Sequence, residues 1–240
     1  MIAKCFKIEC LTNLHVGNGD VNYNIIDNEV ERDSVTNYPT INSSGLKGAL
    51  REHFNAKGCE FIRDVFGDEG DMSQGKIKFL SANMLARPMR VSDGDSPYFL
   101  VTTKKAVELL NKLVSEFGLN FDKISLSLNG KAEIEGIECS LTDSLNPLGL
   151  DVAAVMEDKE FSNMPLPVVA RNKLESGKSV NLWYEEIVPH ESVFTFFIIA
   201  NDDSKDLVCK LTEEIKKEPI QFGGNATVGY GLCKVTEIGG

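Results

Sequence analysis

The strongest constraint on the fold is the alternation of β-strand patterns and amphipathic helices along the chain. Runs of β-formers bounded by Gly, Pro, Asn or Asp predict strands at residues 5–14, 76–85, 98–102, 192–200 and 231–238. Apolar residues at helical spacing predict helices at 46–54, 106–117 and 202–218. Because the last two helices each follow a strand, we expect an α+β fold with a split β-α-β sheet of the ferredoxin-like or RNA-recognition-motif type.

Two stretches are predicted to be insertions on this sheet, within one elaborated domain that covers residues 1–240. The first insertion spans about 34–75 and contains the first helix. The second spans about 165–189, where two β-rich arms flank the turn Glu175, Ser176, Gly177 and Lys178. This pattern predicts a protruding β-hairpin.

Composition limits the classes of partner. A net charge of −11 disfavours a protein that grips naked nucleic acid with its whole surface, although a local basic track remains compatible with it. The first residues lack the uninterrupted apolar run of a signal peptide, and no apolar run is long enough to span a bilayer. The six cysteines show no zinc-ligand spacing, which favours reduced thiols. We therefore expect a cytoplasmic protein with no membrane partner.

Residues 38–51 predict a phosphate-binding turn at the start of a helix. Ser43 and Ser44 offer hydroxyl groups there, and Lys47 and Arg51 add positive charge on the following turns. The amino-terminus of a helix also presents unpaired N–H groups and a partial positive charge. These four side chains are candidate phosphate ligands.

Acidic residues recur at every second position from Asp27 to Asp33. In an extended segment these carboxylates share one face. One divalent cation such as Mg²⁺ could bridge two of them, with phosphate and water completing its coordination shell. A solvated acidic loop is the alternative interpretation. The flanking sequence favours the functional one, because His15 lies before this segment and the phosphate-binding turn follows it.

Two glycine-containing loops are candidate binding sites. His15 precedes Gly17 and Gly19, a spacing that suits an anion-binding loop and also an ordinary tight turn. The segment 221–231 carries four glycines before the last strand, and within it Gly223, Gly224 and Asn225 are candidate RNA contacts. These glycines match neither a Rossmann nor a Walker motif, which excludes dinucleotide-binding and ATP-hydrolysing classes.

The predicted hairpin places cations and aromatic residues on facing arms. Arg171, Asn172 and Lys173 lie on the first arm, and Trp183 and Tyr184 lie on the second. Such a pair of arms can contact a nucleic-acid backbone and stack on bases, at about 1 to 3 kcal/mol per stacked base. Ordinary cross-strand packing is the alternative.

The order of these motifs resembles the RAMP superfamily of CRISPR proteins. Within it, the chain looks most like the multi-copy backbone subunit of type III-B (Cmr) effector complexes. The glycine-rich loop, the Leu-Lys-Gly-Ala-Leu-Arg turn and the Trp-Tyr-Glu-Glu arm carry most of the resemblance. The matching segments are 14–19, 26–33, 38–51, 66–67, 85–90, 182–186 and 223–231.

The resemblance implies an RNA-recognition-type palm with a helical finger insertion and a hairpin thumb. Such subunits polymerise along a guide CRISPR RNA beside other type III effector subunits, and their hairpin kinks the guide–target duplex. By motif position, Asp27 is the residue that cuts target RNA with a divalent metal, Mg²⁺ or Mn²⁺. His15 and the turn at 43–51 would then hold guide phosphates, and 171–173 would belong to the thumb.

Two departures from the family pattern leave alternatives open. The family commonly has a proline two residues after the catalytic aspartate, and this chain has Glu29 at that position. In the phosphate-binding turn, Gly45 occupies a position where the family usually has serine. These changes are compatible with a non-catalytic scaffold that binds guide RNA. A stand-alone ribonuclease that processes guide precursors is the other alternative. The 26–33 pattern also resembles the type III-A (Csm) backbone subunit.

Overall fold

The computed structural model describes residues 1–19, 25–68, 70, 73–93 and 96–239. In this part of the chain the strands are β1 (Ile2–Cys10), β2 (Thr40–Ile41), β3 (Gly67–Asp68), β4 (Ser73–Gln74), β5 (Ile77–Phe79), β6 (Ala82–Asp93), β7 (Tyr98–Thr103), β8 (Lys131–Ile134), β9 (Ile137–Thr142), β10 (Ala153–Met156), β11 (Val168–Glu175), β12 (Lys178–Glu186), β13 (Val193–Ala200), β14 (Ile220–Gln221) and β15 (Leu232–Ile238). The helices are α1 (Ser43–Ala56), α2 (Ile62–Phe66), α3 (Lys104–Glu116), α4 (Asp158–Asn163) and α5 (Lys205–Ile215). Short 3₁₀ turns lie at Asn146–Leu148, Asp202–Ser204 and Ala226–Val228.

A large mixed sheet organises the chain, with the strand order β14-β15-β1-β13-β6-β7-β10-β9-β8. The strand β1 lies between β13 and β15 and is antiparallel to both, so that Phe6 faces Phe196 and Ile8 faces Val235. The strands β7 and β10 are parallel. All five strands predicted from the sequence are therefore present, although the one predicted at 76–85 is divided between β5 and β6.

Helices cover both faces of the central strands, because successive side chains of a strand point to opposite faces. Phe6, Phe194 and Phe196 pack in one core cluster with Leu50 of α1 and Leu211 of α5. The other cluster joins residues from the same strands to α3; it includes Cys5, Val193, Phe197, Val107, Leu110 and Val114. The helix α1 lies within the segment predicted to be an insertion, yet it contributes to the main core.

The strands at residues 131–156 were missed by the sequence patterns, because they are short. The long strand β6 pairs with β13, β7 and β8 at successive positions, so the series β6, β7, β10, β9 and β8 closes on itself like a small barrel. Its apolar interior includes Met89, Val101, Ile134 and Cys139, all of which are buried. This closure explains why the short strands are stable without long apolar runs.

The predicted hairpin within 165–189 is confirmed as β11 and β12. Ser176 and Gly177 at its turn both have positive φ angles, which suits a tight two-residue hairpin turn. Trp183 faces Arg171 across the strands, whereas Leu182 and Tyr184 lie on the opposite face and are exposed. The hairpin thus has a polar face with Trp183 and an exposed apolar face. Among the described helices, none combines the length and apolar character needed to cross a membrane.

Candidate nucleic-acid interface

Asp27 lies at the base of the hairpin and is exposed to solvent. Its N–H donates to the carbonyl oxygen of Tyr184 at 3.0 Å, and its Oδ2 accepts from the N–H of Tyr184 at 2.8 Å. The next residue continues this pairing, because the carbonyl oxygen of Asn28 accepts from the N–H of Glu186 at 2.9 Å. The Asp27 loop is therefore attached to β12 by backbone hydrogen bonds, and its carboxylate stays accessible.

Glu185 is a buried carboxylate at the centre of this region. Its Oε1 accepts from Trp183 Nε1 at 2.9 Å and from Asn28 Nδ2 at 3.2 Å. Its Oε2 accepts from Arg171 Nε at 2.8 Å and from Asn225 Nδ2 at 3.0 Å. We call this cluster, formed by Asn28, Arg171, Trp183, Glu185 and Asn225, the Glu185 junction.

The electrostatics of the junction favour the ionised form of Glu185. Burial by itself raises the pKa of this carboxyl, but hydrogen bonds from Trp183 and Arg171, together with the charges of Arg171 and His15, hold the pKa below its ordinary value. The guanidinium of Arg171 also lies over the ring of Tyr230, with 4.5 Å to the ring centroid. The orientation of Arg171 is thereby set by two contacts.

Glu186, the next residue of β12, joins other parts of the same region. Its carboxylate accepts from Arg32 Nη2 at 2.9 Å and from the N–H of Val30 at 3.1 Å. Its carbonyl oxygen lies 2.8 Å from His15 Nδ1. Because a carbonyl oxygen can only accept, Nδ1 of His15 carries the proton of this hydrogen bond.

His15 also fixes the glycine-rich loop. Its carbonyl oxygen accepts from the N–H of Gly224 at 2.9 Å. Gly223 has a φ angle of +69°, and a Cβ at that position would collide with the same carbonyl group. Only glycine allows this approach without strain, so the loop rests directly on the His15 backbone.

The predicted phosphate-binding turn forms the first turns of α1. Ser44 is exposed, Ser43, Lys47 and Arg51 are half-buried, and Asn42 makes no side-chain cap for the helix. The N–H of Ser43 donates to Ser81 Oγ at 3.1 Å. The N–H of Leu46 donates to the carbonyl oxygen of Asn42 at 2.8 Å, whereas the N–H groups of Ser44 and Gly45 precede the first intrahelical acceptor.

An open groove of about 380 Å³ runs beside these residues. It is lined by the acidic residue Glu52 and by small or apolar residues, namely Val16, Ile41, Gly45, Gly48, Ala49 and Gly223. A Cβ at Gly45 or Gly48 would meet no other atom within 4 Å. We call this the α1 groove; Gly223 connects it to the Glu185 junction.

The remaining hairpin candidates lie away from the junction. Asn172 Oδ1 accepts from Ser179 Oγ at 2.6 Å, and Lys173 forms an exposed ion pair of 2.8 Å with Glu175. These residues therefore extend along the free part of the hairpin. Of the three hairpin candidates, only Arg171 contacts the Glu185 junction.

The structure gives little support for a metal site formed by several carboxylates of the acidic segment Asp27 to Asp33. Asp33 Oδ1 accepts from the N–H groups of Val35 and Thr36, which closes a turn. Burial raises the pKa of Asp33, but the hydrogen bonds from Thr36 and Val35 lower it overall. In the described part of the chain, no group of three or more His, Cys, Asp or Glu side chains is placed to hold a metal ion. Asp27 is an exposed carboxylate and is not part of any such group.

The structure brings together half of the predicted site residues. His15, Asp27, Arg171, Gly223, Gly224 and Asn225 converge on residues 183–186 of β12. Ser43, Ser44, Lys47 and Arg51 lie on α1, which borders the groove. The sequence patterns missed Glu185 and Glu186 as organising residues. The sequence signal for these two residues was a pair of consecutive acids directly before the apolar residues Ile187 and Val188.

Comparison with known proteins identifies the family of this chain. The model of the RAMP superfamily matches residues 7–234. A protein of Saccharolobus solfataricus named CRISPR system CMR subunit Cmr4 is 38% identical, over 97% of this chain and 95% of the relative. A protein of Pyrococcus furiosus named CRISPR system Cmr endoribonuclease Cmr4 is 26% identical, over 94% of this chain and 92% of the relative.

Solved structures share the fold over the whole chain. A chain of the type III-B Cmr-β complex bound to cognate target RNA superposes with a TM-score of 0.79 at 23% identity, and covers 99% of this chain and 98% of its own length. The crystal structure of oligomeric Cmr4 from P. furiosus has a TM-score of 0.72 at 19% identity, with all of both chains covered. The mixed α/β architecture described above is therefore the shared one.

Proposed function

This chain belongs to the RAMP superfamily and, within it, to the Cmr4 proteins of CRISPR systems, and we propose that it is the backbone subunit of a type III-B effector complex. It binds a guide CRISPR RNA, stacks head to tail with copies of itself beside other effector subunits, and cleaves complementary target RNA at regular intervals in the cytoplasm. The endoribonuclease name of one relative and the target RNA bound to one structural neighbour support this role. The oligomeric neighbour supports self-association.

The strand order supports a ferredoxin-like palm within one domain. The elements β1, α1, β6, β13, α5 and β15 follow one another along the chain, and their strands lie in the order β15-β1-β13-β6. This is the split β-α-β arrangement, with α1 rather than α3 as the first crossover helix. In this assignment the hairpin β11–β12 is the thumb, and its exposed apolar face with Leu182 and Tyr184 suits separation of base pairs.

The observation that carries the proposed cleavage is the position of Asp27. Its carboxylate is exposed, yet it is attached to the base of the hairpin through Tyr184. A hairpin that opens the guide–target duplex would therefore bring the distorted target strand next to this carboxylate. The loop lacks the proline usual in the family, but Asn28 is held by Glu185 and by the backbone of Glu186. This attachment supports a catalytic subunit over a scaffold.

The proposed reaction is attack of a target ribose 2′-hydroxyl on the adjacent phosphate. The bond between the 2′-oxygen and phosphorus forms, the bond to the 5′-oxygen breaks, and the products carry a 2′,3′-cyclic phosphate and a 5′-hydroxyl. Asp27 accepts the proton of the attacking hydroxyl, or would hold a cation beside the reacting phosphate, and water gives a proton to the leaving 5′-oxygen. Base separation favours alignment of the three reacting atoms, which accounts for part of the acceleration.

A divalent cation, Mg²⁺ or Mn²⁺, is part of this proposal. One accessible carboxylate fits a cation that arrives largely coordinated by RNA phosphates and water, and Asp27 is the residue that would hold it. Such a cation supplies positive charge where negative charge develops on the phosphate. The α1 groove and the turn with Ser43, Ser44, Lys47 and Arg51 would bind guide phosphates, which are sequence-independent contacts.

The test is the variant Asp27→Ala in complexes assembled with guide RNA. We expect single-turnover cleavage of target RNA to fall at least about 100-fold, because a general base or phosphate ligand is removed. Guide binding should be unchanged, since the lost carboxylate is not a guide contact. Asp206→Ala, an exposed aspartate on α5, is the matched control.

Cleavage by Asp27→Ala at the wild-type rate would exclude Asp27 as the catalytic group. A wild-type complex that binds guide without cutting target would identify a scaffold subunit. Processing of guide precursors by the chain alone would indicate the other ribonuclease class. If target RNA is cleaved as fast in EDTA as in Mg²⁺, the reaction needs no divalent cation, and Asp27 acts as a general base.

A further inference from the structure

Glu185 joins three segments that are distant in sequence. Its two oxygens have different partners: Oε1 accepts from Asn28, beside Asp27, whereas Oε2 accepts from Arg171 of β11 and Asn225 of the glycine-rich loop. The side chain is buried, with 5% of its surface exposed, so it cannot contact RNA itself. Any effect of Glu185 on RNA chemistry must therefore pass through these partners.

We propose that Glu185 is a positioning residue for target cleavage, which sets Asp27 relative to the hairpin and the glycine-rich loop. This inference rests on the proposed function, since it concerns the same site. A buried carboxylate is costly unless donors compensate it. Here four donors converge on it, and three of them come from outside β12, namely from the Asp27 loop, β11 and the glycine-rich loop.

The chemistry of the side chain makes this role specific. A carboxylate accepts at both oxygens, whereas the amide of glutamine accepts at one end and donates at the other. In Glu185→Gln, an N–H₂ group must face either Trp183 or Arg171, both of which can only donate, whereas the amides of Asn28 and Asn225 can turn to accept. One side of the junction is then broken although the volume is almost unchanged.

The experiment uses complexes assembled with guide RNA at matched occupancy. The variants are Glu185→Gln, Asn28→Ala and the double variant. The matched control is Glu237→Gln, which removes the charge of a paired carboxylate on β15 that contacts Lys4 and Lys216. Guide affinity and single-turnover cleavage at saturating complex are measured for each complex, and tryptophan fluorescence is measured for each variant of the full chain before assembly. Trp183 is the chain's only tryptophan, so its emission reports directly on the junction.

We expect Glu185→Gln to lower the cleavage rate constant about 10- to 100-fold, the usual range for residues that orient a reactive group. Guide affinity should change less than about 3-fold, because the α1 groove is intact. Asn28→Ala should also slow cleavage, and the double variant should be no slower than Glu185→Gln, since both changes act through one contact. The emission of Trp183 should shift in Glu185→Gln and stay constant in Glu237→Gln.

Equal cleavage rates in Glu185→Gln and Glu237→Gln, while the wild type cuts, would overturn the positioning role alone. Cleavage losses that add in the double variant, or that disappear when assembly is matched, would overturn it as well. A wild-type complex that does not cut overturns the proposed function and this inference with it. If Glu185→Gln does not fold, Asn28→Ala carries the test, because it removes one hydrogen bond from an exposed side chain.

Discussion

The Glu185 junction and the α1 groove meet at the glycine-rich loop but differ in how their polar groups are paired. In the junction, each oxygen of Glu185 accepts two hydrogen bonds. In the groove, Asn42 makes no side-chain cap, and the surfaces at Gly45 and Gly48 are open. This difference in hydrogen bonding suits the junction to positioning residues and the groove to binding a polyanion. Four hydrogen bonds to one carboxylate hold residues in place relative to one another, whereas an open helix start leaves N–H groups for a polyanion.

The largest effect is expected where the two regions touch. Gly223→Ala should lower the free energy of unfolding by at least about 2 kcal/mol, because a left-handed φ angle and a collision with the His15 carbonyl group both penalise a side chain. Denaturant unfolding measures this change. Gly224→Ala is the matched control, since its Cβ would come no closer than 3.9 Å to the same oxygen. Equal losses in both variants would contradict the close approach at Gly223.

The second prediction concerns the pH dependence of the junction. The pKa of Glu185 is lower in the folded chain than its ordinary value of 4.5. Its ionised form therefore stabilises the folded state above that pH, and this stabilisation is lost as the pH falls through the lowered pKa. The gap in unfolding midpoint between the wild type and Glu185→Gln should shrink below pH 4.5. A gap that stays constant with pH would argue against an ionised Glu185.

A smaller effect is expected from the cations beside the groove. Lys47→Ala should weaken guide binding to a similar extent for guides of any sequence, because it removes a phosphate contact. The slope of log affinity against log salt should decrease by about 0.7, the value for one phosphate contact on a single strand. Lys210→Ala on α5 is the control and should leave the slope unchanged. A loss that depends on guide sequence would indicate contact with bases.

The smallest effect is expected from Gly48→Ala, which should change the stability of the chain and its affinity for guide RNA in opposite directions. Gly48→Ala should raise the free energy of unfolding by about 0.5 to 1 kcal/mol, because alanine is the better helix former and its methyl group meets no other atom. The same methyl group narrows the α1 groove, so guide affinity should fall. Thermal unfolding and guide titration measure the two changes. Tighter guide binding would show that phosphates do not use this part of the groove.

Much of the fold was predictable because long patterns reflect burial. The apolar runs of β1 and β13 and the helical spacing of α3 and α5 follow from the faces that these elements bury. The hairpin turn was predictable from Ser176 and Gly177. The strands β8, β9 and β10 were not, because each has at most six residues and is stabilised by closure onto β6.

Many residues of the candidate site were predictable from the sequence, but the hydrogen bonds that join them were not. His15, Asp27 and the glycine-rich loop stood out by residue type and spacing, and α1 was placed from its apolar face and first turn. The structure adds that α1, within the predicted insertion at 34–75, packs in the main core. Glu185 was missed because its partners, Asn28, Arg171 and Asn225, are separated by up to nearly two hundred residues.

The sequence by itself determined the strands and helices with strong periodicity, the hairpin, and the residues that carry charge or conformational freedom at its binding loops. Those properties are local, since propensity, periodicity and side-chain chemistry are encoded within a few residues. Only the tertiary structure decided that β12 is the strand on which the Asp27 loop, His15 and the glycine-rich loop converge. A buried carboxylate is tolerated only where donors from several segments surround it, and that condition is met only in the folded chain.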